Sequence, residues 1–312
     1  MFTRMTATPS PNAAGAVGRK ARWALREGEE IAPGRSVVRR LGGGNRYEVY
    51  LAWEDRMSSL VVVKLLRPDR TERERSRRAL EREAQLLERL AHPVLLRGFG
   101  AVVDGPRPHL VLEHLEGPTL RSLIRHGPVS AEQLLPAAVH LAGALHYLTS
   151  EGVVHLDLKP DNVVVGVTPR VIDLSLARSV EQAAATVTPV GSFSYMPPEQ
   201  CDPPNRGPIG TASDVWGLGA TLYHAASGRK PFARGADEEL KASETVRYPQ
   251  LGGEPAPLPS FVPVDLSEAI MACLASDPAD RPTARELAVR LEPTSAGVAR
   301  RVRVGRRGAY LR

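Results

Sequence analysis

From Ser36 onward, apolar residues fall into short runs separated by Gly, Asn and charged residues. Ser36 to Leu41, Tyr47 to Trp53 and Leu60 to Lys64 are rich in Val and aromatic residues and read as β-strands. Leu95–Val103 and His109–Glu113 add two more, giving an expected five-stranded sheet. Between them, residues 71–91 form a mixed-charge helix with Leu86, Leu87 and Leu90 on one face. Glu83 lies one turn before Leu87 and is expected to point inward. Beyond Glu116 the period becomes helical, at 119–125 and again at 131–150, with Glu151-Gly152 as a C-terminal stop. Two short β-rich runs, Val163–Val165 and Val171–Ile172, flank a Gly-Val-Thr-Pro turn and predict a hairpin. Residues 250–264 are Pro-rich loop, and 265–292 supply two closing helices, the second capped by Thr283. Strands first and helices afterwards argue for an α+β fold rather than repeats.

Composition bounds this picture. At 312 residues and 42% hydrophobic, the chain can bury one large domain or two lobes. Cys201 and Cys273 are far apart and lack metal-ligand spacing, which fits a reducing compartment without a disulfide framework. Residues 1–34 are Ala-, Pro-, Gly- and Arg-rich without periodicity and read as a flexible N-terminal arm. They lack the apolar core of a signal peptide. The longest apolar segment, Leu134–Leu148, is interrupted by His140 and His146 and reads as a buried helix, so no membrane span is expected. The expectation is a soluble cytoplasmic protein.

The net charge of +6 is matched by the tail alone: Arg300, Arg301, Arg303, Arg306, Arg307 and Arg312 occur there without an acid. An Arg-rich tail at 293–312 can touch an anionic partner or simply solubilise the chain. Its partner is unknown, and with no basic, aromatic-studded fold elsewhere nucleic-acid binding is not predicted.

Candidate chemistry concentrates at 155–173. His155-Leu156-Asp157-Leu158-Lys159-Pro160-Asp161-Asn162 precedes the hairpin that folds Asp173 back beside Asn162. Two carboxylates, a Lys and an Asn in this space make sense together. One Asp can accept a proton from a hydroxyl, while the oxygens of Asn162 and Asp173 could hold a divalent cation. Gly42-Gly43-Gly44 sits in the first hairpin, where nothing at Cβ blocks approach of a phosphate. Lys64 closes an apolar strand, where it either snorkels to solvent or is held by a buried acid.

In this order and spacing, residues 36–292 resemble the bacterial serine/threonine protein kinases of the eukaryotic-like (Hanks) type. The resemblance implies a bilobal kinase fold: a small antiparallel N-lobe with one main helix at about 35–113, and a larger, mostly α C-lobe at about 114–292. It implies Asp157, Lys159 and Asn162 as catalytic residues, with Asn162 and Asp173 as metal ligands for Mg²⁺ or Mn²⁺. ATP would be bound by Leu41, Gly42, Gly43, Gly44, Val49, Val62, Lys64, Glu83, Glu113, Leu115 and Asp173. Lys64 would pair with Glu83, and the backbone at Glu113 and Leu115 would face adenine behind Leu112. Ser192 in Gly191-Ser192-Phe193-Ser194-Tyr195-Met196-Pro197-Pro198-Glu199 would touch the catalytic Asp and Lys. Glu199 would meet Arg281, and Asp214 would bond the catalytic-loop backbone. Protein substrates with Ser or Thr are implied, with autophosphorylation; a dimer through the N-lobe is left open.

Three positions depart from the pattern. Tyr47 stands at the third glycine of the phosphate loop and implies a stiffer loop tip. Leu156 replaces the Arg of H-R-D, a non-RD arrangement that removes the usual receiver of an activation-loop phosphate. Ser175 replaces a glycine after Asp173-Leu174 and would tolerate turn geometry less freely. These departures keep a pseudokinase, an ATP-binding signalling scaffold, as the alternative. A kinase-like small-molecule phosphotransferase is the second rival; the Pro-Pro-Glu shelf and Lys159 speak for protein substrates instead.

Overall fold

The structure is a computed structural model that describes residues 21–232 and 248–293. The start of the N-terminal arm and residues 294–312, which carry the Arg-rich tail, lie outside the described residues. The chain forms two compact units: residues up to Arg78 with Ala101–Val111, and Ala79–Gly100 with Leu112 onward.

The first unit is built on β1 (Glu30–Ala32), β2 (Arg35–Gly43), β3 (Tyr47–Glu54) and β4 (Ser59–Leu66), antiparallel from one to the next. With β5 (Gly98–Val102) and β6 (His109–Glu113) the sheet order is β1-β2-β3-β4-β6-β5. Six strands replace the expected five because β1 extends the edge. Tyr50, Ala52, Val61, Val63 and Leu65 point to one side and close a core with Leu25, Ile31, Val37 and Val111. Period-two alternation explains this: the opposite face carries Tyr47, Val49, Val62 and Lys64.

The segment before Arg35, read above as part of a flexible arm, is packed from residue 21 onward. Glu48 explains why. Its carboxylate is fully buried and accepts hydrogen bonds from the Trp23 backbone N–H (2.8 Å) and the Tyr50 hydroxyl (2.8 Å). Trp23 Nε1 donates to the Leu66 carbonyl at 2.7 Å, and the Arg107 guanidinium lies 5.2 Å from its ring centroid. Leu25 then completes the core, with its N–H on the Tyr50 hydroxyl. The Arg- and Ala-rich composition hides two anchors, Trp23 and Leu25.

The second unit holds α2 (Leu120–Ile124), α3 (Ala131–Ser150) and α7 (Thr211–Ser227), besides most of α1 (Glu74–Arg89). Between them run β7 (Val153–Val154), β8 (Val163–Val164), β9 (Arg170–Val171), β10 (Arg178–Ser179) and the short helices α4 (Val180–Ala184), α5 (Pro198–Cys201) and α6 (Pro203–Arg206). Thr119 caps α2 through Ser122 N–H. α3 buries Leu134, Leu135, Leu141, Leu145 and Leu148 and exposes both His140 and His146, as its polar interruptions imply. α7 is buried from Ser213 to Ser227 and packs against α3 and the helix Val264–Cys273. A Cβ at Gly219 would stand 2.5 Å from that of Cys273, so the crossing requires glycine. A capping box between Thr283 and Glu286 opens the last helix, 284–293.

Both cysteines are free and buried, and burial pushes each thiol up to about 12, which leaves them unreactive. Among the described residues no helix is long and apolar enough to cross a membrane.

The Glu48 cluster can be tested directly. Tyr50→Phe removes the hydroxyl that serves both Glu48 and Leu25 and leaves that buried carboxylate oxygen with the longer Arg40 contact at 3.8 Å. The expected loss is roughly 1–3 kcal/mol, read as a lower urea midpoint by Trp fluorescence. An unchanged midpoint would show that the Tyr50 hydroxyl does not hold the 21–25 segment.

Candidate active site

The hairpin forms as predicted, with Val163 opposite Val171 and Val164 opposite Arg170. It returns the chain to the loop: Ile172 N–H donates to the Asn162 carbonyl at 2.8 Å, which brings Asp173 to Asn162. The loop itself is held from α7. Asp214 accepts the His155 N–H at 2.6 Å and the Leu156 N–H at 2.8 Å. Burial pushes this carboxyl above its usual range, and His155 with the two N–H donors opposes the shift. Leu156 takes the left-handed conformation, φ 65°.

Asp157 is thereby presented with its two oxygens in different surroundings. Oδ2 accepts from Lys159 Nζ at 2.6 Å and lies 3.4 Å from Asn162 Nδ2. Oδ1 is buried and has no hydrogen-bond partner among the described residues. Lys159 Nζ also donates to Ser192 Oγ at 2.7 Å, so the expected Ser192–Lys159 contact is made, and Asp157 is reached through that lysine. Asn162 Nδ2 donates to the Asp157 carbonyl at 2.9 Å. That bond fixes the amide, turning its carbonyl oxygen away from Asp157 and leaving it for a cation. Asn162 and Asp173 are hard oxygen donors, the set that suits a divalent cation also bound by phosphates. Among the described residues there is no group of three or more His, Cys, Asp or Glu that could hold a metal by themselves.

The strain expected at Ser175 is found two residues earlier. Asp173 itself has φ 73°, and its Oδ1 accepts the Ser175 N–H at 3.2 Å. An Asp can take this conformation because its short side chain bonds the nearby backbone, so the turn does not need glycine after Leu174. Leu174 is buried, as expected.

At the other replaced position, Leu156 is buried in an apolar cluster with Val154, Ala183 and Ile209, joined by Leu176, Val180 and Val190. Ala183 and Val180 belong to α4, a helix within the activation segment that the sequence reading left undivided. Glu199 meets Arg281 as expected, through two hydrogen bonds of 2.6 and 2.9 Å with both side chains fully buried.

In the first unit, the glycine hairpin closes with Gly44 N–H on the Tyr47 carbonyl. Gly43 has φ 143°, and a Cβ there would lie 2.5 Å from the Tyr47 oxygen, so this position needs glycine. Leu41 is partly exposed, while Val49 and Lys64 are direct partners across β3 and β4. Lys64 Nζ lies 4.7 Å from the centroid of the Tyr47 ring, a cation–π contact. In the second unit, Glu83 is buried on α1 beside the equally buried Leu87, as its position predicted. Glu113 binds Arg170 of β9, at 2.5 Å to Nη2, and its N–H donates to the Arg97 carbonyl at 3.0 Å.

Several supporting residues carried no sequence signal. Gln200 Nε2 donates to the Leu156 carbonyl at 3.0 Å and Gln250 Nε2 to the Phe193 and Met196 carbonyls, tying the segment before α5 in place. Tyr195 OH and His224 Nδ1 lie 2.7 Å apart beneath that segment, with Arg121 Nη1 3.4 Å from His224 Nε2. Glutamines and histidines in such a stretch have no periodicity that separates a bonded one from a solvated one.

A carboxylate gripped on one oxygen by a lysine, an amide fixed beside it and a second carboxylate returned by a hairpin come together at this loop. The Protein kinase domain family model matches residues 35–290, and the chain belongs to that family. It is 33% identical over 271 residues to probable serine/threonine-protein kinase PkwA of Thermomonospora curvata, covering 86% of this chain and 35% of that protein. Serine/threonine-protein kinase PknB of Mycobacterium leprae is 31% identical over 256 residues (77% and 39%), and pkn2 of Myxococcus xanthus 32% over 268 (81% and 31%). The chain thus spans about two fifths or less of the length of these relatives. Kinases of this family use ATP and a divalent cation.

His224 gives this site a pH signature. Burial, with Arg121 and Lys230 nearby and only Asp161 opposing, lowers it from 6.5 to about 4. Between those values the unfolded chain binds more protons than the folded one, so stability falls as pH drops from about 6.5 toward 4. His224→Asn is expected to flatten that part of the melting-temperature profile. An acid limb identical to the wild type would rule out His224 as its source.

Proposed function

We propose that the chain is a serine/threonine protein kinase that transfers the γ-phosphoryl group of ATP to protein hydroxyls, its own included. The observation that carries this reading is the divided Asp157: one oxygen is held by Lys159, and the other, Oδ1, is buried without a partner. A buried acceptor left unsatisfied is costly and rare. Here it is accounted for if a substrate hydroxyl completes it. Asp157 would orient that hydroxyl and finally take its proton, and Lys159 would neutralise charge on the phosphoryl group in flight. Lys64 would hold the other phosphates, with Glu83 as its proposed partner. A divalent cation, magnesium or manganese, would be held by Asn162 Oδ1 and Asp173 and would supply charge neutralisation. Leu41, the Gly42–Gly44 turn, Val49, Val62, Glu113 and Leu115 are the proposed nucleotide contacts. The transfer needs positioning and charge more than covalent help.

The scaffold reading has one observation in its favour, the Tyr47 ring against Lys64. Intact mass after incubation with Mg-ATP separates the two. Wild type is expected to gain phosphate, and Asp157→Asn to lose at least about 10²-fold in rate, with Lys64→Met likewise impaired. Phosphate on neither protein, with ATP still raising the melting temperature, would favour the scaffold.

The site is proposed to be non-RD in regulation as well as in sequence. The apolar cluster around Leu156 supports α4 by packing, where an Arg would have needed a phosphate. Thr186→Ala with Thr188→Ala is therefore expected to keep most of the activity. Activity strictly dependent on phosphate at either threonine would overturn this.

A further inference from the structure

Beside Asp157 the second unit carries a cationic flank that the phosphoryl-transfer chemistry does not use. Its position follows from a chain of contacts. Asp157 bonds Lys159, Lys159 bonds Ser192, and the Tyr195 N–H donates to the Ser192 carbonyl at 2.8 Å. Between them, Ser194 Oγ accepts from Lys230 Nζ at 2.9 Å. Lys230 and Arg229 are exposed, and Ser194 is half-buried.

Arg121 enters from α2. A guanidinium can only donate, so its neighbour His224 Nε2 must be the acceptor, and Nδ1–H then donates to the Tyr195 hydroxyl. His224 is thus a neutral spacer, and Arg121 has no carboxylate partner among the described residues. Asp161, exposed and four residues beyond Asp157, is the acid that acts on His224 among the described residues, and Arg121 and Lys230 both act on it more strongly.

Resting on the kinase reading above, we propose that Arg121 and Lys230 are specificity-determining residues that select an acidic side chain near the phosphoacceptor of the protein substrate. Partly exposed charges give modest attraction, about 5-fold for the pair, and it should weaken with salt.

The test uses the full chain and synthetic peptides with one Ser acceptor, carrying Glu or Gln at each of the three positions on either side. Phosphotransfer kcat/KM is read by mass and peptide affinity by fluorescence anisotropy, so that binding is scored even without transfer. The expected result is a preference of about 5-fold for Glu at one or more of these positions, lost in Arg121→Gln with Lys230→Gln and reversed in Lys230→Glu alone. The single exposed substitution keeps the test valid if the double variant does not fold. Equal use of Glu and Gln peptides, a preference that survives the charge changes, or no binding of any peptide would overturn the proposal. Selective binding without phosphotransfer would uphold the flank and sink the kinase reading; transfer without selectivity would do the reverse.

Discussion

The site depends on one carboxylate that touches no substrate. Asp214, buried on α7, takes the N–H groups of His155 and Leu156, two donors that no strand or helix would otherwise satisfy. In doing so it holds Leu156 at φ 65°, a conformation that costs roughly 1–2 kcal/mol for a residue with a Cβ. The strain has a consequence: it turns the chain so that Leu156 enters the apolar cluster while Asp157 faces the other way. α7 is suited to this because it is buried over nearly its whole length. Thr221, two turns further along it, donates to the Leu158 carbonyl at 3.3 Å, so one helix fixes the loop on both sides of Asp157.

The second constraint is the Glu199–Arg281 pair. Two fully buried charges carry a desolvation penalty that a single contact would not repay. Here the guanidinium makes two bonds to the carboxylate, donates to the Ala275, Ala212 and Ser276 carbonyls, and lies 4.9 Å from the Trp216 ring centroid. Ser213 Oγ donates to Glu199 at 2.8 Å. Loss of either partner would strand a buried charge, so the pair works less as a source of net stability than as a fixed register. It joins residues 82 apart in sequence and places the segment ending at Glu199 against the start of α7. Asp214 follows Ser213 directly, so the pin on the activation segment and the pin on the catalytic loop are set by consecutive residues.

Most of this was legible where chemistry depends on residue type and spacing. The hairpin after Asn162 and the Thr283 cap follow from the residues themselves, while the role of Asp214 and the Glu199–Arg281 pair were implied by the resemblance to protein kinases. What escaped were contacts carried by generic residues. Trp23 and Leu25 lie in a stretch whose composition reads as unstructured, and their partners Glu48, Leu66 and Tyr50 are set by the folded sheet. Gln200 and Gln250 bond backbone carbonyls, which leave no trace in sequence. Ser175 shows the opposite error. A serine in place of glycine drew the strain to the wrong residue, because Asp173 can take a left-handed φ by bonding its own turn.

The replacements at Leu156 and Tyr47 therefore need separate physical accounts. An Arg at 156 would be a charge awaiting a counter-charge; Leu needs only apolar neighbours, and Val154, Ala183 and Ile209 already supply them. On the reading proposed above, that substitution would move the ordering of the segment from electrostatics, which a phosphate can switch, to packing, which it cannot. Tyr47 belongs to the first unit. Its ring lies on the same face of the sheet as Lys64, and a cation–π contact of about 0.5–2 kcal/mol is weaker than the charge-assisted bonds a phosphate offers that lysine. The ring can hold the ammonium in place without outbidding a nucleotide for it.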